Sequence, residues 1–280
     1  MHDKRKWSAV AALVVMVGLG ALWQQKRVES WLTGLGLLRA KPLRCEPEIG
    51  MQASYRLRMH TQIKLNPATL LADAKKQQGQ LITTDAGFSG RLRLQALEKR
   101  EGGVLVGMAI DELEVNSGVA DLPNDVRRQM GAPFYTVLAP DCRFSDFGFA
   151  PNTDADVVNR LQALLQGMSL ALSDDGKKLK WDSREYDAVG QYSARYERPD
   201  LDSRKLTKQR MTYLRTHPTN GFGIKEQLSV RVMKSEAPVQ LDEAHAWLQH
   251  FESREHLMVT RQSGALVADL KLTLWLERND

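Results

Sequence analysis

Several groups of acidic, histidine and serine residues carry side chains that could take part in catalysis or metal binding. Asp242-Glu243-Ala244-His245 has the letters of a helicase box, and His245, His250 and His256 could suggest a metal cluster. A helicase also needs a glycine-rich phosphate loop, which the sequence lacks. Spacings of five and six residues do not put imidazoles on one helical face. We therefore expect no nucleotide site, no metal site and no cofactor.

Two acidic pairs, Asp174-Asp175 and Glu185 with Asp187, could act as general acid and base. Paired carboxylates need a shaped pocket to separate their pKa values, and both pairs are predicted to lie at turns, which favours solvated carboxylates. Ser89 and Ser263 are each followed by glycine but lack the nucleophile elbow of serine hydrolases. The sequence thus predicts no catalytic residues and a protein that is not an enzyme.

A basic run in the second half of the chain could form a phosphate site: Arg204, Lys205, Lys208 and Arg210. These residues alternate with the apolar Leu206 and Met211, which favours a solvated strand face. The chain as a whole has a net charge of +5, but residues 1–50 contain eight of its 39 basic and four of its 34 acidic residues. The remaining 230 residues are therefore nearly neutral and offer no large footprint for nucleic acid.

The N-terminal segment has the features of a membrane anchor. Lys4, Arg5 and Lys6 precede seventeen uncharged residues, 7–23, bounded by Trp at both ends. At ~1.5 Å per residue this stretch is just long enough to span a bilayer, with its N-terminus in the cytoplasm. A cleaved signal peptide is the alternative. We expect an uncleaved signal anchor at 1–27, a stalk or linker at 28–50 and a body at 51–280.

Alternating apolar residues predict antiparallel strands in the body. The period of two is clear over residues 55–65, 92–96, 104–110 and 270–276. Further strands are predicted at 134–138, 144–149, 190–196, 206–214 and 223–232, with hairpins at Gly102-Gly103 and Ser263-Gly264.

Two amphipathic helices are predicted within the body. The first begins near Thr153, with Asp156 completing a variant capping box. It carries a stripe that could face the core or a bound lipid: Val157, Leu161, Leu164, Leu165 and Met168. The second is predicted at 241–251. A helix stripe and a strand face must each find an apolar partner. The expected fold is therefore mainly β (α+β): an antiparallel curved sheet or barrel wrapped around one central amphipathic helix, with an N-terminal transmembrane helix.

A connected pattern between residues 132 and 210 resembles a known family. Its pieces, in chain order, are Pro133-Phe134, Asn159 with Leu164-Leu165, Glu185 and Asp187 followed by Gly190, then Tyr196, then Thr207-Lys208. Together they look similar to the N-terminal β-barrel, the lipid-binding N-sheet domain, of vitellogenin-type large lipid transfer proteins. The match runs from about residue 51 to 213.

The resemblance implies a barrel-like sheet around a central helix. It also implies a surface on which receptors or partner subunits dock. The family's further cysteines have no counterpart after Cys142, and its helical horseshoe and additional lipid-binding sheets do not follow here. Transport of lipid therefore does not follow directly from the resemblance.

Only two cysteines occur, Cys45 and Cys142. An oxidising compartment would let them pair, whereas two free thiols are expected in a reduced protein. Taken with the anchor, the sequence predicts a single-pass protein of a bacterial inner membrane. Its periplasmic body would dock a protein partner in an envelope complex without catalysis. The alternative is a lipid-binding or lipid-transfer protein that holds an acyl chain between sheet and helix.

Overall fold

The computed structural model describes residues 43–70, 81–117, 124–173, 178–216, 227–242 and 247–279. Residues 43–280 form a unit separate from residues 1–42. The predicted anchor at 1–27 lies outside the described residues. Among the helices that are described, none has the length and apolar character needed to span a membrane.

Eleven strands and three helices make up the described part of the chain. The strands are β1 (Gln52–Leu65), β2 (Ile82–Arg100), β3 (Gly103–Ser117), β4 (Phe134–Leu138), β5 (Phe144–Gly148), β6 (Lys180–Tyr186), β7 (Gly190–Glu197), β8 (Lys205–Thr216), β9 (Ser229–Leu241), β10 (Leu248–Thr260) and β11 (Leu266–Arg278). The helices are α1 (Pro67–Leu70), α2 (Asn124–Met130) and α3 (Ala155–Met168).

All eleven strands belong to one antiparallel sheet with the order β5-β4-β3-β2-β1-β11-β10-β9-β8-β7-β6. The first and last strands pair at its centre, where Leu57 lies opposite Leu276. On either side of this pair the sheet grows by neighbours in the chain, so that most connections are hairpins. Gly102 and Gly264 have φ angles of 86° and 84° at two of these turns, a backbone conformation that glycine adopts without strain.

The predicted alternation of the long strands is confirmed. On β1, Tyr55 and Leu57 are each only 1% exposed. Leu92 and Leu94 on β2 and Leu276 on β11 are buried in the same way. One face of these strands therefore supplies the core, as the period of two requires.

The predicted fold, a sheet or barrel wrapped around a central amphipathic helix, is wrong. The eleven strands form one sheet whose order ends at β5 and β6, and no described residue of β5 pairs with β6. Helix α3 follows one of these edge strands in the chain and precedes the other. Alternation encodes which face of a strand is buried, but it does not encode whether a sheet closes. The predicted transmembrane helix of that fold is not among the described helices.

Helix α3 is the longest described helix, with 14 residues. Its N-cap is Asp154, whose Oδ1 accepts a hydrogen bond of 2.8 Å from the Asp156 amide. Thr153, the predicted cap, instead donates its hydroxyl to the Ala150 carbonyl at 2.7 Å. The predicted stripe is buried in the main core cluster: Val157, Leu161, Leu164, Leu165 and Met168.

The second predicted helix, at 241–251, is wrong. Leu241 ends β9 and Leu248 begins β10, and these two residues pair across the two strands. Trp247 and Phe251, which suggested a helical stripe, are buried in the core of the sheet. Pairing with neighbouring strands has overridden a short local pattern of apolar residues.

Two apolar clusters fill the buried side of the sheet. The larger contains the α3 stripe and the inward residues of β1 to β4 and β7 to β11. The smaller lies on β9, β10 and β11 and includes Val230, Leu257, Val259, Val267 and Leu270. Helix α3 contributes only to the larger cluster. The region between the two clusters is therefore a candidate position for a binding site.

Candidate functional site

Charged side chains are buried on β6 and β8. On β8, Leu206, Lys208 and Arg210 share one parity, so all three side chains point to the buried face. Lys208 is 6% exposed and Arg210 is 9% exposed. The predicted solvated strand face is therefore wrong for these two residues, although Lys205 is exposed as expected.

Glu185 and Lys208 form a buried ion pair. Glu185 Oε2 lies 2.6 Å from Lys208 Nζ. The carboxylate also accepts hydrogen bonds from the hydroxyls of Tyr196 at 2.6 Å, Ser183 at 2.7 Å and Tyr192 at 3.0 Å. The prediction that Glu185 is a solvated residue at a turn is wrong, because it lies on β6 and is 6% exposed.

Both members of this pair are stabilised in their charged forms. Burial acts to raise the pKa of Glu185. Attraction by the Lys208 ammonium and the hydrogen bonds from Lys208, Tyr196 and Ser183 outweigh burial, so that the pKa is lowered. Burial likewise acts to lower the pKa of Lys208, but the Glu185 carboxylate raises it overall. Lys208 Nζ also donates to the Ser169 carbonyl at 2.7 Å, which ties β8 to the end of α3.

Arg210 is the centre of a second set of buried contacts. Its Nη1 contacts the Asp187 carboxylate and the Tyr213 hydroxyl, and its Nη2 lies 3.2 Å from Glu255 Oε2. Its guanidinium carbon lies 4.1 Å from the centre of the Tyr192 ring. Burial acts to lower the pKa of Arg210, but the carboxylates of Glu255 and Asp187 raise it overall. We call Glu185, Lys208, Asp187, Arg210 and Glu255 the buried charge cluster.

A tight turn between β6 and β7 places Asp187 in this cluster. Asp187 Oδ1 accepts hydrogen bonds from the amides of Val189 at 2.8 Å and Gly190 at 2.9 Å. Oδ2 then remains for Arg210 and for the Tyr213 hydroxyl, which donates to it at 2.7 Å. A Cβ at Gly190 would lie 2.0 Å from the Arg215 carbonyl oxygen, so glycine is required there. The spacing of Glu185, Asp187 and Gly190 thus builds one structural unit.

A cavity of about 140 Å³ lies beside the buried charge cluster. Apolar residues of α3 and of the central strands form most of its wall: Met59, Ala163, Leu164, Phe251, Leu257, Leu270, Leu272 and Leu274. Asp187, Lys208, Arg210 and Glu255 form a charged end. The cavity draws on both apolar clusters, so it occupies the region between them.

A groove of about 460 Å³ adjoins this cavity. It runs between α3 and strands β1 to β3, and it shares Met59 and Ala163 with the cavity. Asp156, Asn159 and Arg160 lie along it on the exposed side of α3. The cavity and the groove thus share Met59 and Ala163 in their walls, and the groove also has polar residues, Thr61 and Thr84 among them.

The other residues singled out in the sequence lie away from the cavity. Phe134 is buried on β4, and Pro133 precedes that strand. His256 Nε2 lies 2.7 Å from Asp269 Oδ1, and His250 pairs with Glu277. Asp174, Asp175 and His245 lie outside the described residues, among which no group of three or more acids, histidines and cysteines is placed to hold a metal ion.

Cys45 and Cys142 are joined by a disulfide bond, with their Cα atoms 5.0 Å apart. The bond connects the segment before β1 to the turn between β4 and β5. The Cys45 amide also donates to the Pro140 carbonyl at 2.9 Å. The segment that enters the sheet is thereby fixed to the strands at one side of it.

Sequence reasoning missed the buried charge cluster because it assessed each charged run by itself. One signal was available: Lys208 and Arg210 have the parity of Leu206, whereas solvated residues should have the opposite parity. Glu255 gave no such signal. Its partner, Arg210, lies on another strand and is 45 residues earlier in the chain.

Comparison with solved structures finds a shared fold. A structure described as "lipid-protein interactions in lipovitellin" matches with a TM-score of 0.55 and 11% identity over 84% of this chain. The chain spans only 26% of that lipovitellin chain. DynF from the dynemicin pathway of Micromonospora chersina matches 86% of this chain and 87% of its own, but its TM-score of 0.23 is too low to support an argument.

The sequence itself matches no family model and no curated protein. The likeness to lipovitellin therefore shows the fold alone. It agrees with the vitellogenin-type resemblance of the sequence at the level of a large β fold, which this chain shares despite its open sheet.

Proposed function

We propose that this protein binds lipid by holding an acyl chain in the cavity between α3 and the sheet. The observation that carries the proposal is the mostly apolar wall of the cavity, which shares Met59 and Ala163 with the adjoining groove. Together the two spaces fall within the roughly 300–1,000 Å³ typical of small-molecule sites. The fold shared with lipovitellin also supports lipid binding, because the description of that structure names lipid-protein interactions.

The chemistry of the walls suits an acyl chain better than a polar metabolite. Leucine, methionine and phenylalanine side chains offer dispersion contacts without a fixed pattern of hydrogen bonds. Each methylene removed from water contributes about 0.8 kcal/mol, so a chain of several carbons would bind measurably. Methionine at position 59 can adapt its rotamer where the cavity and the groove meet.

Docking of a protein partner, the first function predicted from the sequence, stays a prediction, as do the membrane anchor, the periplasmic location and the absence of catalysis. Lipid binding has the more specific support, because the cavity and groove are described features of the sheet and helix.

The test places a large side chain where the cavity meets the groove. Ala163→Phe should fill this space and reduce lipid that co-purifies with the full chain, measured by extraction and mass spectrometry, at least about fivefold. Ala155→Phe is the matched control, because it makes the same change at an exposed position of the same helix. Stoichiometric lipid in both variants, or none in the unaltered protein, would refute the proposal.

A further inference from the structure

The sheet is incompletely paired between β8 and β9, next to the cavity. The two strands pair at four positions, the last of them Lys208 opposite Ala237. Beyond that pair, no described residue of β8 pairs with β9, although β8 stays paired with β7 and β9 with β10 along the same stretch. We call residues 209–216 of β8 and 229–236 of β9 the seam.

Hydrogen bonds that involve side chains connect the two strands at the ends of the seam. At one end the Arg210 amide donates to the Ser235 hydroxyl at 2.8 Å. At the other end the Thr216 hydroxyl donates to the Leu228 carbonyl at 2.9 Å. Separating the strands along the seam would therefore break fewer hydrogen bonds than separating a continuous ladder, which makes this part of the sheet easier to open.

The cavity reaches the sheet where the seam begins. Its wall includes two residues of β8, Lys208 and Arg210, and two of β9, Ser235 and Ala237. These four residues lie where the pairing of the two strands ends. An acyl chain that entered tail first through the seam would place its hydrocarbon against the apolar wall. Its polar group would stay beside the charged side chains at the seam.

Three β-bulges lie on the strands that border the seam. Met211 and Leu214 are the extra residues of two bulges in the pairing of β8 with β7, and Met233 is the extra residue of a bulge in the pairing of β9 with β10. Their exposed fractions are 42%, 45% and 47%. Bulges are common beside functional sites, where they redirect a side chain. Each of these bulges carries an exposed apolar side chain, so the surface around the seam suits contact with an apolar phase.

The exposed charged residues of the seam are mainly basic. Arg215, Arg231 and Lys234 are exposed, against one exposed acid, Glu236. Basic side chains beside exposed apolar ones are attracted to anionic lipid headgroups, and the apolar side chains enter the boundary below the headgroups. The charge of the seam therefore complements an anionic lipid surface.

We propose that the seam contacts an anionic lipid surface and that the acyl chain passes between this surface and the cavity there. The inference rests on the proposed lipid binding and names the partner surface of the same site. Met211, Leu214 and Met233 enter the surface, and the three exposed cations contact its headgroups.

The experiment measures transfer of anthroyloxy-labelled palmitate from the loaded full-length protein to vesicles. One set of vesicles is phosphatidylcholine alone, and the other contains equal parts of phosphatidylcholine and phosphatidylglycerol. Transfer from the unaltered protein should be at least about fivefold faster to the mixed vesicles, because the exposed cations are attracted to phosphatidylglycerol. The amount of palmitate bound before mixing is measured separately, since the seam should control the rate of transfer and not the capacity of the cavity.

The apolar side chains are tested by Met211→Ser/Leu214→Ser/Met233→Ser. Transfer to the mixed vesicles should become at least about fivefold slower, while the amount bound changes by less than about twofold. The matched control makes the same number of changes at apolar residues of similar exposure on other parts of the chain, Ile49→Ser/Leu81→Ser/Ile82→Ser, and should alter neither quantity.

The basic side chains are tested by Arg215→Gln/Arg231→Gln/Lys234→Gln. This variant should transfer palmitate to both kinds of vesicle at rates within about twofold of each other. The matched control removes the same number of exposed cations from other strands, Arg56→Gln/Lys99→Gln/Arg184→Gln, and should keep the preference for mixed vesicles.

Equal rates for the unaltered protein and both seam variants overturn the inference and leave lipid binding intact. A parallel fall in rate and in amount bound would show damage to the cavity itself and would also overturn it. An unaltered protein that binds no labelled palmitate overturns the proposed function.

Discussion

At Glu185 and Lys208, two opposite charges lie 2.6 Å apart, with side chains 5% and 7% exposed. Such a pair gives little net stability over an apolar pair of the same shape, but loss of one partner leaves the other buried and uncompensated. The hydroxyls of Ser183, Tyr192 and Tyr196 all donate to the Glu185 carboxylate, so this environment favours the charged form. The stability of this part of the sheet therefore depends on Lys208.

Replacement of Lys208 by methionine should be strongly destabilising. We expect Lys208→Met to lower the free energy of unfolding by about 3–5 kcal/mol at pH 7, measured by urea denaturation. Lys205→Met, the same substitution at an exposed position of the same strand, should stay within about 0.5 kcal/mol of the unaltered protein. The double variant Glu185→Gln/Lys208→Met should recover part of the loss. If Lys208→Met unfolds no more easily than Lys205→Met, the pair is not buried as described.

Acid should reduce the difference in stability between the Lys208→Met variant and the unaltered protein. In the unaltered protein the folded pKa of Glu185 lies below its ordinary value of 4.5. Its stabilising contribution is therefore complete above about pH 5 and is lost as the pH falls through the folded pKa. Without Lys208, burial raises the pKa of Glu185, so protonation then favours folding.

Melting temperatures at pH 7 and pH 4 measure this effect. The difference in melting temperature between the variant and the unaltered protein should be smaller at pH 4 than at pH 7. A larger difference at pH 4 would contradict the assigned charge states of Glu185 and Lys208.

At the level of elements, α3 supplies one wall of the cavity and also part of the core. Leu161 is 1% exposed and Leu165 is fully buried, whereas Ala163 lines the cavity and the groove. One helix therefore carries core residues and site residues at neighbouring positions. Substitutions along α3 should separate effects on stability from effects on binding.

Leu161→Ala probes the core role of α3. We expect it to lower the free energy of unfolding by about 2–5 kcal/mol, because the methyl groups lost leave a cavity in a packed region. Arg160→Ala, at the exposed neighbouring position, should change stability by less than about 0.5 kcal/mol. An equal effect of the two substitutions, seen in chemical denaturation, would mean that α3 does not pack as described.

Sequence reasoning was most successful for elements whose pattern is local. The strands of Tyr55, Leu92 and Leu276 were predicted because burial of one face imposes alternation on the residues themselves. Around Trp247, a few apolar residues fitted a helix and a strand equally well, and pairing between β9 and β10 decided the outcome.

The order of the strands and the members of the site depend on contacts that no short stretch of sequence contains. Arg210 and Glu255 are distant in the chain, and only the packing of β8, β9 and β10 brings them together. The sequence did not decide between a curved sheet and a closed barrel for the same reason, since closure depends on the pairing of β5 and β6.

At the scale of the whole molecule, the disulfide between Cys45 and Cys142 closes a loop with a sequence separation of 97. Such a link restricts the unfolded chain more than it changes the folded one. It spans β1, β2, β3 and β4, which form one side of the sheet. The bond should therefore affect the unfolding of the sheet as a unit.

Replacement of both cysteines by serine should lower the free energy of unfolding by about 2–5 kcal/mol, as expected for a loop of this length. The midpoint of urea denaturation measures the change. The unaltered protein treated with dithiothreitol is the control and should unfold near the same midpoint as the variant. A variant that unfolds at the midpoint of the oxidised protein would show that the bond does not form in solution.

The pairing of β1 with β11 has a consequence for biosynthesis. The Asn279 amide donates to the Ser54 carbonyl at 2.7 Å, so the first and last strands of the sheet meet along its middle. During translation β1 is made before the other ten described strands, and β11, its partner on one side, is made after them. Until the residues of β11 emerge, each half of the sheet has an unpaired edge strand that could pair wrongly. A chain that ended before Leu266 would lack the strand that joins the two halves.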